Sequence, residues 1–153
     1  MVSHLSDLLR YSIQFNDREK VTLSEELEIV NNYLELETIH YENRLQYRVQ
    51  ADVALDGYKI PPMIIQLMVE NAIKHGISQL KDGGEVVVEI SQESDRLKIS
   101  VANTGQLRKS EKEGIGIRNA TERIKILFDQ EPDFQLFQEG NLVKSVLILP
   151  IQK

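Results

Sequence analysis

The sequence predicts an α+β fold in which a mixed β-sheet is covered on one face by helices. Three observations carry that expectation. Stretches of helical spacing and of strict alternation follow one another as two helices, a strand, a helix, two strands, a helix and two strands. The stretch from Pro61 to Gly76 lies at the centre of that order. Its Ile65, Met68, Val69, Ala72 and Gly76 recur at helical spacing as one apolar stripe. Finally, 41% of the 153 residues are hydrophobic, with no low-complexity tract and no internal repeat, which is enough for a proper core.

Each element has its own signal. Leu5, Leu8, Leu9 and Ile13 have helical spacing and begin in mid-pattern, so residues 1–15 read as the tail of a helix whose earlier part lies upstream. Thr22-Leu23-Ser24-Glu25 is a capping-box pattern, with Thr22 as the cap and Glu25 reaching back. Leu23, Leu27, Val30 and Leu34 follow as the apolar face of a helix ending near Tyr41. Leu45, Tyr47, Val49 and Ala51 alternate as a strand, and Asp56-Gly57 marks a turn.

The central helix opens on Pro61-Pro62, a pair suited to a first turn whose amides have no helical partner. Asp82-Gly83-Gly84 breaks the chain after it. Val86, Val88 and Ile90, then Leu97, Ile99 and Val101, give two strands joined near Ser94-Asp95. Residues 104–113 are polar and without period, which predicts a mobile loop. Ile117, Ala120, Ile124 and Leu127 define another helix. Phe134 and Leu136, then Val146 and Ile148, give a closing hairpin around Gly140-Asn141.

Composition narrows the function. With no cysteine, disulfides and thiolate metal sites are excluded. The net charge is −6 and the basic residues form no stripe, which argues against a nucleic-acid partner. No apolar run approaches the roughly 20 residues of a membrane span, and the start has no signal-peptide pattern.

A second stripe on the central helix is the informative one. Asn71, Lys74, His75 and Ser78 stand at i, i+3, i+4 and i+7 on a face about a quarter-turn from the core stripe. Ile64 and Leu67 continue it, so polar groups lie beside apolar surface, as in the wall of a pocket. The ordinary alternative is the wet face of a surface helix. Gly114 and Gly116 precede a helix, where free amides and the helix dipole suit an anion. The ordinary alternative there is a turn. No G-x-x-x-x-G-K-[ST] is present, so phosphates would not be held by a P-loop.

The run from Glu70 to Gly76, then Asn103-Thr104-Gly105, then Gly114-Ile115-Gly116-Ile117-Arg118-Asn119 resemble, in this order, the N, G1 and G2 boxes of the GHKL ATPases. The phrases IPPMIIQLMVENAIKHGI and GIGIRNATERIKILF are similar to those of LytS-type sensor histidine kinases. LSDLLRYS and VTLSEELEIVNNYLELE resemble that family's linker. The likeness covers nearly the whole chain.

The resemblance implies a GHKL, or Bergerat-type, ATP-binding fold. Residues 1–41 would be a helical linker, the tail of a dimerisation region, and residues 42–153 the catalytic domain. It implies Mg-ATP as cofactor, with Asn71, Lys74, His75, Gly76, Asn103, Gly105, Gly114, Ile115, Gly116, Ile117 and Asn119 around it. Asn71 would ligate the magnesium ion through its carboxamide oxygen. Lys74 would neutralise phosphate; its ordinary alternative is an i, i+4 pair with Glu70. His75 would be a hydrogen-bonding pocket wall. Glu70 matches the acidic residue that often precedes the asparagine and is the one candidate for a base, though it lies about a quarter-turn away.

The stretch from Gly105 to Gly114 would be a lid. Arg108, Lys109 and Lys112 stand there as phosphate contacts or, more ordinarily, as a solvated charged loop. Implied partners are a cognate response regulator and a second copy bound through the N-terminal helices. The implied place is a cytoplasmic domain of a bacterial sensor that meets the membrane only through segments outside this sequence.

The chain also departs from the pattern. Asparagine stands at Asn103, where the superfamily has an aspartate that accepts from the adenine amino group, and Leu107 replaces the second glycine of that box. The phosphoacceptor stretch, resembling P-H-F-L-F-N, is not present, and neither His4 nor His40 matches its setting. The rival readings are a degenerate module of the same fold that binds nucleotide poorly, and a related GHKL ATPase or serine kinase, which the linker phrases speak against.

Overall fold

The computed structural model describes residues 20–107 and 133–151. Thr22 opens the first helix, α1 (Leu23–His40), as expected. Its hydroxyl accepts from the Glu25 amide at 3.1 Å, and the Glu25 carboxylate accepts from the Thr22 amide at 3.2 Å. Leu23, Leu27, Val30 and Leu34 are buried, so the apolar face is the one the sequence predicts.

A short strand β1 (Val21–Thr22) precedes α1 and pairs antiparallel with β3 (Lys59–Ile60). Sequence patterning does not show this pair, because two residues are too few to display a period. β2 (Leu45–Ala51) follows α1. Next come a 3-10 turn over Val53–Leu55, then β3 and the central helix α2 (Ile64–His75). A second 3-10 turn at Ile77–Gln79 leads to β4 (Gly84–Glu93), which forms a hairpin with β5 (Arg96–Thr104). The closing hairpin is β6 (Asp133–Glu139) and β7 (Leu142–Pro150). The helices expected over residues 1–15 and around 117–127 lie outside the described residues.

The five long strands form one mixed sheet in the order β2-β4-β5-β7-β6. β2 runs parallel to β4, with Leu45 opposite Gly84 and Ala51 opposite Ile90; the other neighbours are antiparallel. A parallel pair needs a long crossover, and α2 is its main element. Val86, Val88, Ile90, Leu97, Ile99, Val101, Leu147 and Leu149 form the helix-facing layer and are all buried. Their alternating neighbours Glu89, Ser91 and Gln135 are exposed on the other face. The covered face packs against α1 and α2 in one hydrophobic cluster, so α1 shares its core with the sheet.

Two details of α2 depart from expectation. Pro61 and Pro62 are buried but precede the helix, which begins at Ile64 after Met63 takes a left-handed conformation (φ 72°). The free amides at its start are satisfied from α1 instead. The Glu26 carboxylate accepts from Met63 N at 3.1 Å, Ile65 N at 3.0 Å and Gln66 N at 3.1 Å. At the other end α2 stops at Gly76, whose amide donates to Ala72 O at 3.0 Å. Ser78 therefore lies in the 3-10 turn rather than on the helical face with Asn71 and Lys74, and its hydroxyl donates to Lys74 O.

Candidate nucleotide site

The end of α2 and the end of β5 meet. β5 is central in the sheet, and its register with β4 and β7 sets Asn103 opposite Val86 and Val143 on the helix-facing side. Asn103 is 5% exposed. Its carboxamide lies directly on Gly76: a Cβ added to Gly76 would stand 2.0 Å from Asn103 Nδ2 and 2.6 Å from Ala72 O. Only glycine permits that approach. Gly105 closes the third side with φ 147°, and a Cβ there would be 3.4 Å from Asn103 Nδ2 and 3.6 Å from the Gly76 Cα. Gly76, distant in sequence from Asn103 and Gly105, thus meets both at one point of the structure.

The Asn103 amide has one orientation that satisfies its neighbour. Nδ2 donates to Thr104 O at 3.0 Å, and a carbonyl oxygen can only accept. Oδ1 is left facing away, with no described group donating to it. The turn after β5 is also held: Gly105 N donates to Asn141 O at 3.0 Å. Gln138 of β6 donates through Nε2 to Gly105 O at 3.0 Å and accepts from Leu107 N at 2.7 Å. Gln138 gave no signal in the sequence, because an exposed polar residue in a hairpin strand is commonplace.

On α2, Asn71 is half-buried, and no described residue hydrogen-bonds its carboxamide. Lys74 is exposed and has no ion-pair partner among the described residues, so the expected alternative of a pair with Glu70 is not formed. His75 is the last residue of α2. Glu70 shares a side of the helix with Gln66, whose Nε2 donates to Glu70 Oε1 at 3.2 Å. That side faces α1. There burial first, then the charges of Glu37 and Glu70, push the Tyr33 hydroxyl well above the ordinary tyrosine range. Gln66 is fully buried, and its Oε1 has no hydrogen-bond partner. Gly114, Ile115, Gly116, Ile117 and Asn119, with Arg108, Lys109 and Lys112, lie outside the described residues.

A magnesium ion fits this donor set. Asn71 offers one hard oxygen, and the described residues contain no group of three or more acidic or histidine ligands. Magnesium held with nucleotide phosphates takes one or two protein oxygens and completes its shell with phosphate and water. Among the described residues no helix is long and apolar enough to cross a membrane.

Comparison with known proteins agrees with the fold and the family. A family model described as histidine kinase matches residues 1–45. Sensor histidine kinase BtsS of Escherichia coli (strain K12) is 32% identical over 86% of this chain and 24% of its own length. Sensor protein LytS of Staphylococcus epidermidis is 36% identical over 69% of this chain and 18% of its own. The chain thus spans a quarter or less of the length of these curated relatives.

Among solved structures, the nucleotide-free catalytic domain of histidine kinase ThkA superposes with a TM-score of 0.67. The overlap covers 88% of this chain and 97% of that one at 14% identity, a likeness of fold. ThkA in complex with the response regulator protein TrrA gives 0.57 at 15% identity, over 97% of this chain and 48% of that one. The chain belongs to the sensor histidine kinases, of the LytS type, and carries the α+β fold of their catalytic domains.

Proposed function

We propose that this chain is the ATP-binding catalytic domain of a two-component sensor histidine kinase. It holds Mg-ATP and presents the γ-phosphate to a histidine on a segment outside this sequence, for relay to a response regulator. The observation that carries this reading is the contact of Gly76 with Asn103. It joins the end of α2, which bears Asn71 and Lys74, to an acceptor oxygen suited to the adenine amino group. Asn71 would hold the magnesium ion, which supplies charge neutralisation at the phosphates. Lys74 adds a cation with no ion-pair partner among the described residues, and Gly114 to Asn119 would complete the phosphate end. Phosphoryl transfer of this kind is mostly positioning and electrostatic stabilisation, so the domain needs a shaped pocket more than a reactive side chain.

A response regulator as partner is supported by the ThkA–TrrA complex, a fold neighbour. A homodimer through the N-terminal helices and a cytoplasmic location in a membrane-anchored sensor follow from the same reading. Residues 1–41 would be the linker, with α1 packed on the catalytic domain of residues 42–153. A second reading, a module of this fold that binds nucleotide poorly, is favoured by Asn103 and Leu107, where the superfamily has a charge and a glycine.

Calorimetric titration of ATP with magnesium into the chain tests the two. Saturable binding with one site supports the kinase reading. No heat up to millimolar ATP, from a chain shown to be folded by circular dichroism, defeats it and favours the module.

A further inference from the structure

We propose that Glu26 is a positioning residue for the nucleotide site, the point through which α1 sets the placement of α2. The inference goes beyond the proposed function and uses its site, the residues Asn71, Gly76 and Asn103. A helix begins with amides that have no helical partner, and the usual remedy is a side chain on the residue before it. α2 lacks that remedy: Met63 caps it with no side-chain hydrogen bond, and two prolines stand before Met63. The cap comes from α1. Glu26 Oε1 takes Met63 N, and Oε2 takes both Ile65 N and Gln66 N.

Glu26 is wholly out of water, at 0% exposure. A carboxylate there keeps its charge only where donors replace its hydration, and these amides, with the positive end of the helix dipole, do so. The contact is therefore costly to break and directional along the helix axis. Tyr33 and Glu37 continue the same face of α1, at i+7 and i+11 from Glu26. Tyr33 lies within the field of Glu70, so α1 grips α2 at a second level.

The other end of α2 is where tolerance is smallest. Asn71 and Gly76 are at that end, and Gly76 meets Asn103 with no room for a methyl group. A helix of 12 residues moves along its axis as a unit, and a misplacement of about 1 Å is enough to cost most of a site's function. Holding the start of α2 thus fixes the seam at its end. A displacement of α1 along the axis of α2 is therefore passed to the site through Glu26.

The test uses the full chain with Glu26→Ala, Glu26→Gln and a control, Leu97→Ala. Leu97 is buried at the opposite end of β5 from Asn103, so its truncation lowers stability away from the seam of Gly76 with Asn103. Two-dimensional amide spectra without nucleotide report the Asn71 and Gly76 resonances, and hydrogen exchange reports Ile65 and Gln66. We expect E26A to speed exchange at Ile65 and Gln66 by about tenfold or more, as loss of bonds to a charged group requires. It should also move the Asn71 and Gly76 resonances.

E26Q should move the same resonances less, because its oxygen keeps Ile65 and Gln66 while its amide nitrogen opposes the Met63 N–H. It carries the test should E26A fail to fold. L97A should lose thermal stability and leave both resonances in place. Unmoved resonances in E26Q, or equal movement in L97A, overturn the proposal. Because these readings need no nucleotide, a wild-type chain that binds no ATP defeats the proposed function alone.

Discussion

Gly76 ends α2 with its Cα against the carboxamide of Asn103, an approach that a Cβ would close to 2.0 Å from Nδ2. The contact ties the helix that carries Asn71 to the strand that ends in Asn103-Thr104-Gly105. Gly76→Ala must displace the Asn103 side chain and also relieve a 2.6 Å contact with Ala72 O, which is backbone and cannot swing aside. The expected loss of stability is about 2–3 kcal/mol, in the range of overpacked cores. Urea unfolding measures it. Gly57→Ala, which meets nothing within 4 Å, is the control and should stay within roughly 0.5 kcal/mol of wild type.

Asn71 offers its carboxamide without a hydrogen-bond partner among the described residues. Asn71→Ala should therefore cost little stability and should weaken ATP far more with magnesium than without it. Parallel titrations with magnesium and with a chelator check this. Equal losses under the two conditions would remove Asn71 from the metal site.

Much of this arrangement is legible in the sequence, and the remainder is hidden for physical reasons. The capping box at Thr22, the buried stripe of α2 and the alternation in β4, β5 and β7 all follow from local pattern. Long-range polar contacts leave no such trace. Glu26 stands in a run of acidic residues and reads as one more solvated charge, yet it is the most buried of them because α2 lends it amides. Gln66 and Gln138 are equally silent. The start of α2 departs from its sequence pattern for a similar reason: Pro61-Pro62 suits a first turn, but the left-handed Met63 and the Glu26 cap place that turn later. The meeting of Gly76 with Asn103 depends on the parallel pairing of β2 with β4, which no periodicity encodes.

The Tyr33 hydroxyl is held protonated by burial and by Glu37 and Glu70. A tyrosine whose folded pKa exceeds its ordinary value of about 10 binds a proton the unfolded chain has already released. Stability contributed by neutral Tyr33 is therefore present below about pH 10 and falls as pH rises beyond it. Tyr33 should ionise only as the chain unfolds. An alkaline titration followed at phenolate absorbance, with Tyr33→Phe for assignment, should show the last step coincide with loss of circular dichroism.

The chain should bind ATP and yet not phosphorylate itself. His40 closes α1 with its ring edge-on to Tyr41, centroids 4.9 Å apart. His4 lies outside the described residues, in a stretch unlike the phosphoacceptor motif. Incubation with γ-labelled ATP should leave no acid-labile label on the chain. Label on His4 would overturn this reading of the N-terminal segment.

The last prediction concerns the residue that departs most from the superfamily. Nδ2 of Asn103 is committed to Thr104 O, so Oδ1 is the atom left for a base. An acceptor there selects the amino group of adenine over the carbonyl of guanine. Turning the amide over would set Oδ1 against the Thr104 carbonyl, two acceptors face to face, so ATP should be preferred over GTP. Asn103→Asp separates two effects. Its carboxylate makes a charge-assisted bond to the adenine amino group and should tighten ATP by about 1 kcal/mol. The same change replaces the bond to Thr104 O by repulsion in free and bound chain alike. That loss, also about 1 kcal/mol, should appear in stability and not in affinity. Titration of both nucleotides into both proteins, beside urea unfolding, checks the two signs. Absence of adenine preference in either protein would mean that Asn103 does not read the base, and the module of weak nucleotide binding would become the leading account.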